Sequence, residues 1–271
     1  MTRLIAFWLL LGSVIAPLQA APKAELWPFW QAANEASSAT IDHAAWQQLL
    51  DRYLDANHPS GISRFDYAAV GEQDQAKLDS YLERLQQLDP RTYSKPEQFA
   101  YWVNLYNAAT VAKVLAAYPV DSILRVDGGL FRRGPWNKKY FRIAGQAVSL
   151  NDIEHRILRP IWQDERIHYA VNCASLGCPN LQPMAFQADQ LEFQLEQAAR
   201  DYLQHSRGFQ LLPNGNLKLS KIFAWYQADF GSNEASLLRR LTPYLRPAQQ
   251  AALAGFGGQI DYHYDWALNH P

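Results

Sequence analysis

The chain has 271 residues, with 25 Lys and Arg against 26 Asp and Glu and a formal net charge of −1. So even a balance excludes the basic field on which nucleic-acid binding relies. With 48 % hydrophobic residues, nine Trp, fourteen Tyr and twelve Phe, a disordered or low-complexity chain is excluded as well, and the length suits one large domain or two small ones.

Arg3 is the only charge in the first twenty residues, and a mostly apolar run from Leu4 to Val14 follows it. Pro17 and Ala20 then precede Ala21-Pro22, the order of a secretory signal peptide over residues 1–20. Leu18 is larger than the small residue usual near such a cut. The run is shorter than the roughly 20 residues a membrane span needs, and no cysteine follows the cut to carry a lipid. The expectation is an exported, soluble protein, periplasmic or secreted, with no membrane span in the mature chain. Loss of residues 1–20 leaves 24 basic and 26 acidic groups, a net charge of −2.

Residues 21–40, rich in Ala and Ser, read as a flexible lead-in to one globular domain over 41–271. From Asp42, the residues Trp46, Leu49, Leu50, Tyr53 and Leu54 recur at helical spacing. Ile62 to Tyr67 reads as a short strand or extended link. Leu78, Tyr81, Leu82, Leu85 and Leu88 mark a second helix, closed by Asp89-Pro90. Between Phe99 and Ala117 only Lys113 is charged, so this third helix belongs at the centre of the fold. Ser94 and Glu97 make a capping box before it. Asn104 and Asn107 lie one turn apart on it, and buried amides of this kind either brace backbone or point into a site.

Next comes a glycine-punctuated segment carrying Arg125, Arg132, Arg133, Lys138, Lys139 and Arg142 against Asp127. It reads as a solvated basic loop or as a receiver for an anionic group. Lys139–Ile143 and Gln146–Val148 flank Gly145 as a hairpin. Asn151 is the expected cap of another helix, with Glu154 completing a capping box and His155 beside it. Ile167 to Asn172 reads as a buried strand. Helices are expected at Leu191–Leu203, Ile222–Phe230, Ala235–Leu245 and Pro247–Ala254. The last piece, Ile260 to Trp266, sets its aromatics on one face and Asp261, His263 and Asp265 on the other. Together these predict an α+β, helix-rich single domain whose central apolar helix packs on a small antiparallel sheet, a plan shared with papain-like and transglutaminase-like enzymes.

Several segments together resemble the domain-of-unknown-function family 547. They are Tyr101-Trp102-Val103-Asn104-Leu105-Tyr106-Asn107-Ala108, Leu150 to His155, Arg166 to Ala170, and Cys173-Ala174-Ser175-Leu176-Gly177-Cys178-Pro179. Leu219 to Phe223 and Tyr264 to Asn269 resemble its closing segments, so the likeness runs from about residue 45 to 269. The resemblance implies one domain and says little about activity, since the family is one of unknown function.

The chain holds two cysteines, Cys173 and Cys178. In an exported protein they are candidates for a disulfide closing a short turn. Alternatively Cys173 is a nucleophile, with His168 or His155 as base and Glu154 or Asn104 as orienter. On a regular strand His168 and Cys173 would face opposite ways, which favours His155. A zinc-type set of His168, Cys173, Cys178 and His155 lacks the paired ligand units of common zinc sites, and two ordinary buried thiols are the remaining reading. Neither a metal nor a cofactor is therefore expected. Trp102, Asn107, Arg133, Lys139 and Asn172 are the candidate contacts to a small-molecule or peptide ligand. The function expected is thiol-dependent hydrolysis or acyl transfer, with a non-catalytic envelope binding module as the alternative; nothing in the sequence points to a protein partner.

Overall fold

The structure is a computed structural model that describes residues 22–127 and 134–271. Residues 1–20, expected to be a signal peptide, and Arg133 lie outside the described residues. Helix α1 (Ala44–Tyr53) buries Trp46, Leu49 and Leu50, and α2 (Glu72–Gln87) buries Leu78, Tyr81, Leu82 and Leu85. Between them, β1 (Leu54–Asp55) and β2 (Arg64–Phe65) pair antiparallel. Helix α3 (Lys95–Ala117) is buried at every residue from Glu97 to Ala112, as its apolar circumference requires. Ser94 stands at its N-cap without a side-chain bond. The expected capping box is not formed, because the Glu97 carboxylate accepts the Ile41 N–H instead (2.6 Å).

Strands β3 (Phe141–Ile143) and β4 (Gln146–Val148) form the predicted hairpin. Ala144 and Gly145 turn it with φ of +44° and +79°, the two positive values that match the twist of tight hairpins. Helix α4 (Leu150–Asp152) starts two residues earlier than expected: Ser149 is the cap and Asp152 completes the box. That correction releases Glu154 from capping. The helix continues as a π-helical turn, Ile153–Leu158, and then α5 (Arg159–Trp162).

Ile167–Ala170 is a short helix, α6, rather than a strand. A short apolar run is compatible with either, and here the Arg166 N–H bonds the Asp164 carboxylate at the start of the turn (2.8 Å). The parity argument that separated His168 from Cys173 therefore lapses. Helix α7 (Leu191–Leu203) has the expected bounds. After it come β5 (Phe209–Leu211), β6 (Leu217–Ser220), α8 (Ile222–Trp225), α9 (Gln227–Phe230), α10 (Glu234–Leu241), α11 (Pro247–Ala254) and β7 (Ile260–His263). The single helix expected at Ile222–Phe230 is thus broken at Tyr226.

The architecture is α+β, with three small sheets among the described residues. The largest is mixed rather than antiparallel: β5 pairs β6 antiparallel, while β6 pairs β7 parallel. Helix α3 packs on α2 and on the π-helical turn. Buried side chains form two clusters, one around α1–α3, the other around Tyr169, Tyr202, Phe223 and the mixed sheet. Helix α7 joins them, giving Leu191 and Leu195 to the first and Ala198, Ala199, Tyr202 and Leu203 to the second.

The segment expected to be a flexible lead-in is held down. Trp30 is 1 % exposed and meets Trp102 edge to face at 5.0 Å. Glu25 and Trp27 donate backbone N–H bonds to the carbonyls of His155 and Arg156 (2.9 and 3.0 Å). Three aromatic rings in four residues, Trp27, Phe29 and Trp30, are the reason: burying such rings offsets the cost of ordering the chain. No helix among the described residues is long and apolar enough to cross a membrane.

Candidate functional site

The cysteine turn is built by two asparagines. Asn107, buried on α3, donates to the Ala170 carbonyl (2.9 Å) and accepts the Asn172 N–H (2.8 Å). Asn172 in turn accepts the Ala174 N–H (2.7 Å) and donates to the Pro179 carbonyl (2.7 Å), clasping both ends of the loop. Ala174 takes φ of +56°, a strained value for an alanine and of the kind that gathers at functional sites. The segment after β7 runs beside the loop. Leu176 and Gly177 donate to the carbonyls of Ala267 and Asp265 (both 2.8 Å).

Both cysteines are free thiols, Cys173 half-buried and Cys178 buried. The Cys173 N–H points at Cys178 Sγ (2.9 Å). The Tyr264 hydroxyl lies 2.9 Å from Cys173 Sγ, 3.3 Å from Cys178 Sγ and 2.8 Å from Ser175 Oγ. Burial raises the Cys178 thiol, but bonds from the Cys173 thiol, the Tyr264 hydroxyl and the Cys173 N–H outweigh it and bring it down to about 7. Burial and the bond to Cys178 push the Cys173 thiol up. The pair thus shares one labile proton, and the second is held back by the charge the first leaves behind.

The histidines gather in a separate polar cluster. Glu154 and His155 sit on the π-helical turn, an element found often at functional sites. His168 Nε2–H donates to Asp229 (2.7 Å), and its ring stacks on Tyr226 at 4.1 Å. Arg159 grips the same carboxylate through two nitrogens (2.6 and 3.0 Å). It also donates to His155 Nδ1 (3.1 Å) and to the Pro22 carbonyl (2.7 Å). His155 is therefore neutral with its proton on Nε2, and burial lowers its pKa. Burial raises the Glu154 carboxyl, but His155, His168 and Arg159 together hold it below the usual carboxylate range. Tyr106 donates to it at 3.1 Å.

Neither His155 nor His168 is hydrogen-bonded to a sulfur; the thiols' partners are Tyr264, Ser175 and each other. Asn104 spends both ends of its amide on the Phe186 backbone (2.8 and 2.9 Å), so it braces rather than orients. Trp102 is wholly buried against Trp30. Lys139 pairs with Asp152. Among the described residues no group of three or more His, Cys, Asp or Glu is placed to hold a metal ion.

An aromatic wall stands beside Tyr264. Its ring lies 4.9 Å from Trp225 and 4.6 Å from Trp266, and Trp136 extends the row. Sequence reasoning missed Tyr264, Ser175, Asp229 and Tyr226 as site residues. Ser175 and Tyr264 lay inside quoted motifs but were given no role, whereas Tyr226 and Asp229 come from a segment far downstream of the cysteines and carry no local signal.

Fold and site together define a helix-rich α+β domain with a paired-thiol centre. Residues 90–203 match the family described as "Protein of unknown function, DUF547". The match covers α3, the π-helical turn and the cysteine loop and stops before Tyr226, Asp229 and Tyr264, short of the extent suggested by the motifs. No curated protein and no solved structure matches the chain.

Proposed function

We propose that the chain is a thiol-dependent enzyme of the exported fraction, in which Cys173 attacks a small or peptidic substrate and Cys178 carries the shared negative charge. The observation behind it is the half-buried Cys173 sulfur on a strained turn, in contact with a second thiol and the Tyr264 hydroxyl. Thiol–disulfide exchange is the chemistry for which these groups suffice. Cys178 takes the proton of the Cys173 thiol as the Cys173 sulfur attacks a substrate disulfide, forming a mixed disulfide and releasing the first substrate sulfur as a thiolate. Cys178 then displaces the second sulfur, leaving a Cys173–Cys178 disulfide and a reduced substrate that has taken up the two thiol protons.

Acyl transfer or hydrolysis, on a papain- or transglutaminase-like plan, is the second reading. It is favoured by Tyr264 Oη at 2.9 Å from Cys173 Sγ, where a proton donor for a leaving group would stand. Against it, the imidazole that such enzymes place on the sulfur is engaged elsewhere, by Asp229 or Arg159.

The test is mass spectrometry of the full mature protein after exposure to glutathione disulfide. Wild type is expected to form the internal disulfide, and Cys178→Ser a stable mixed disulfide on Cys173. Failure of Cys173 to react in folded protein overturns the proposal. A Cys173–Cys178 bridge that stays closed under reductant supports the non-catalytic binding module instead.

A further inference from the structure

We propose that the groove on the far side of Tyr264 is a binding site for a small oxyanion, a carboxylate or a phosphate, received by Arg207, Lys218 and His263. This groove of about 210 Å³ is bounded by Leu176 and Gly177 of the cysteine turn and by Tyr264, with Ser206 and Gln210 adding neutral polar groups. Its cationic side follows from strand register. Lys218 on β6 lies opposite Gln210 on β5 and Asp261 on β7. His263 follows Asp261 by two residues, so it falls on the same face, while Leu217, Leu219 and Phe209 point into the second core cluster.

The cations of this groove lack carboxylate partners, and that sets them apart from the basic loop. In the loop, Arg125 pairs with Asp121 (2.6 Å), Lys138 with Asp127 (3.6 Å) and Lys139 with Asp152. Among the described residues Arg207 and Lys218 form no ion pair. Arg207 is 8 % exposed, a burial that charged side chains rarely tolerate unpaired. One guanidinium nitrogen donates to Asn180 Oδ1 (2.6 Å), another to the Leu176 carbonyl (3.3 Å). Its Nε has no hydrogen-bond partner. The His263 ring is fixed through Nδ1 to the Leu219 carbonyl (3.0 Å). The acid at the rim is Asp265, which accepts the Ala267 N–H (2.9 Å). A planar guanidinium beside an ammonium is the donor set that recognises carboxylate and phosphate oxygens. The site needs no thiol chemistry, although it shares Tyr264 with the cysteine pair.

The experiment is calorimetric titration of the full mature chain at fixed ionic strength, with inorganic phosphate in one arm and succinate in the other. Saturable binding of either probe, with a Kd in the millimolar range or tighter, is expected. The arm that saturates names the oxyanion. Lys218→Glu should weaken binding by roughly tenfold or more, and Cys173→Ser should leave it unchanged. His263→Ala supplies an independent variant, and circular dichroism establishes that each variant is folded. Absence of saturation in both arms overturns the proposal, as does wild-type affinity in folded Lys218→Glu and His263→Ala.

Discussion

Tyr264 touches both sulfurs, and its hydroxyl is one of the donors that bring Cys178 down to about 7. Tyr264→Phe removes that donor and leaves the ring. The pH midpoint of thiol alkylation should therefore rise by roughly one unit, the worth of one hydrogen bond. A midpoint that stays put would mean the hydroxyl does not stabilise the thiolate. Gly177 is constrained by space: a Cβ there would meet the Asp265 backbone N at 2.8 Å and O at 2.9 Å. Gly177→Ala should cost about 1–3 kcal/mol in urea unfolding, because the C-terminal segment must move away from the cysteine turn.

At the scale of elements, the π-helical turn and the N-terminal segment form one unit. The carbonyls of His155 and Arg156 accept backbone donors from Glu25 and Trp27, and Arg159 reaches back to Pro22. Trp30 anchors that segment between Phe29 and Trp102. Trp30→Ala is expected to lower stability by about 3–5 kcal/mol and to raise hydrogen exchange at Glu25 and Trp27. Unchanged protection there would show that the segment does not depend on its anchor. Asp229 joins α9 to α5 and α6. Although burial raises its carboxyl, His168 and Arg159 hold it below the ordinary range. Its stabilisation is complete above the unfolded carboxylate value of about 3.9 and is lost as pH falls below it. Asp229→Asn should destabilise the protein at neutral pH and flatten the steepest acid limb of the stability curve.

For the whole molecule, His43 sets a second acid response. Burial lowers its pKa from 6.5 to about 4, Asp42 opposing and Arg84 assisting. Below pH 6.5 the unfolded chain binds a proton that the native state refuses. Stability is therefore full above that value and falls by up to about 3 kcal/mol as pH drops towards 4. Urea unfolding at about pH 7 and about pH 5 should give a smaller difference in His43→Phe than in wild type. The two core clusters meet at α7 and the cysteine turn. There the Tyr202 hydroxyl donates to the Gly177 carbonyl and also bonds Ser220 Oγ (both 2.7 Å). A site at such a seam draws groups from both halves, which is why Tyr264 and Cys173 meet across 91 residues.

Much of the architecture was legible because it rests on local pattern. Three helical stretches with apolar residues every three or four positions became α1, α2 and α3, and Gly145 marked the hairpin. Amides on an otherwise apolar helix marked Asn104 and Asn107 as either bracing backbone or pointing into a site, without deciding between them, and the cysteine turn was visible in Gly177-Cys178-Pro179. Local pattern failed where several readings fit the same few residues. Ile167–Asn172 read as a strand although so short an apolar run fits a helix equally, and Asn151 read as the cap that Ser149 in fact supplies. The partners of each titratable side chain were beyond reach altogether. The sequence by itself determined the helix-rich α+β domain, its central helix and the loop bearing the thiols. Only the tertiary structure decided that Tyr264 and Cys178 meet Cys173 while Asp229 and Arg159 engage the histidines. The physical reason is range: periodicity and capping act within a few residues, whereas hydrogen bonds and ion pairs act between whichever groups packing brings together.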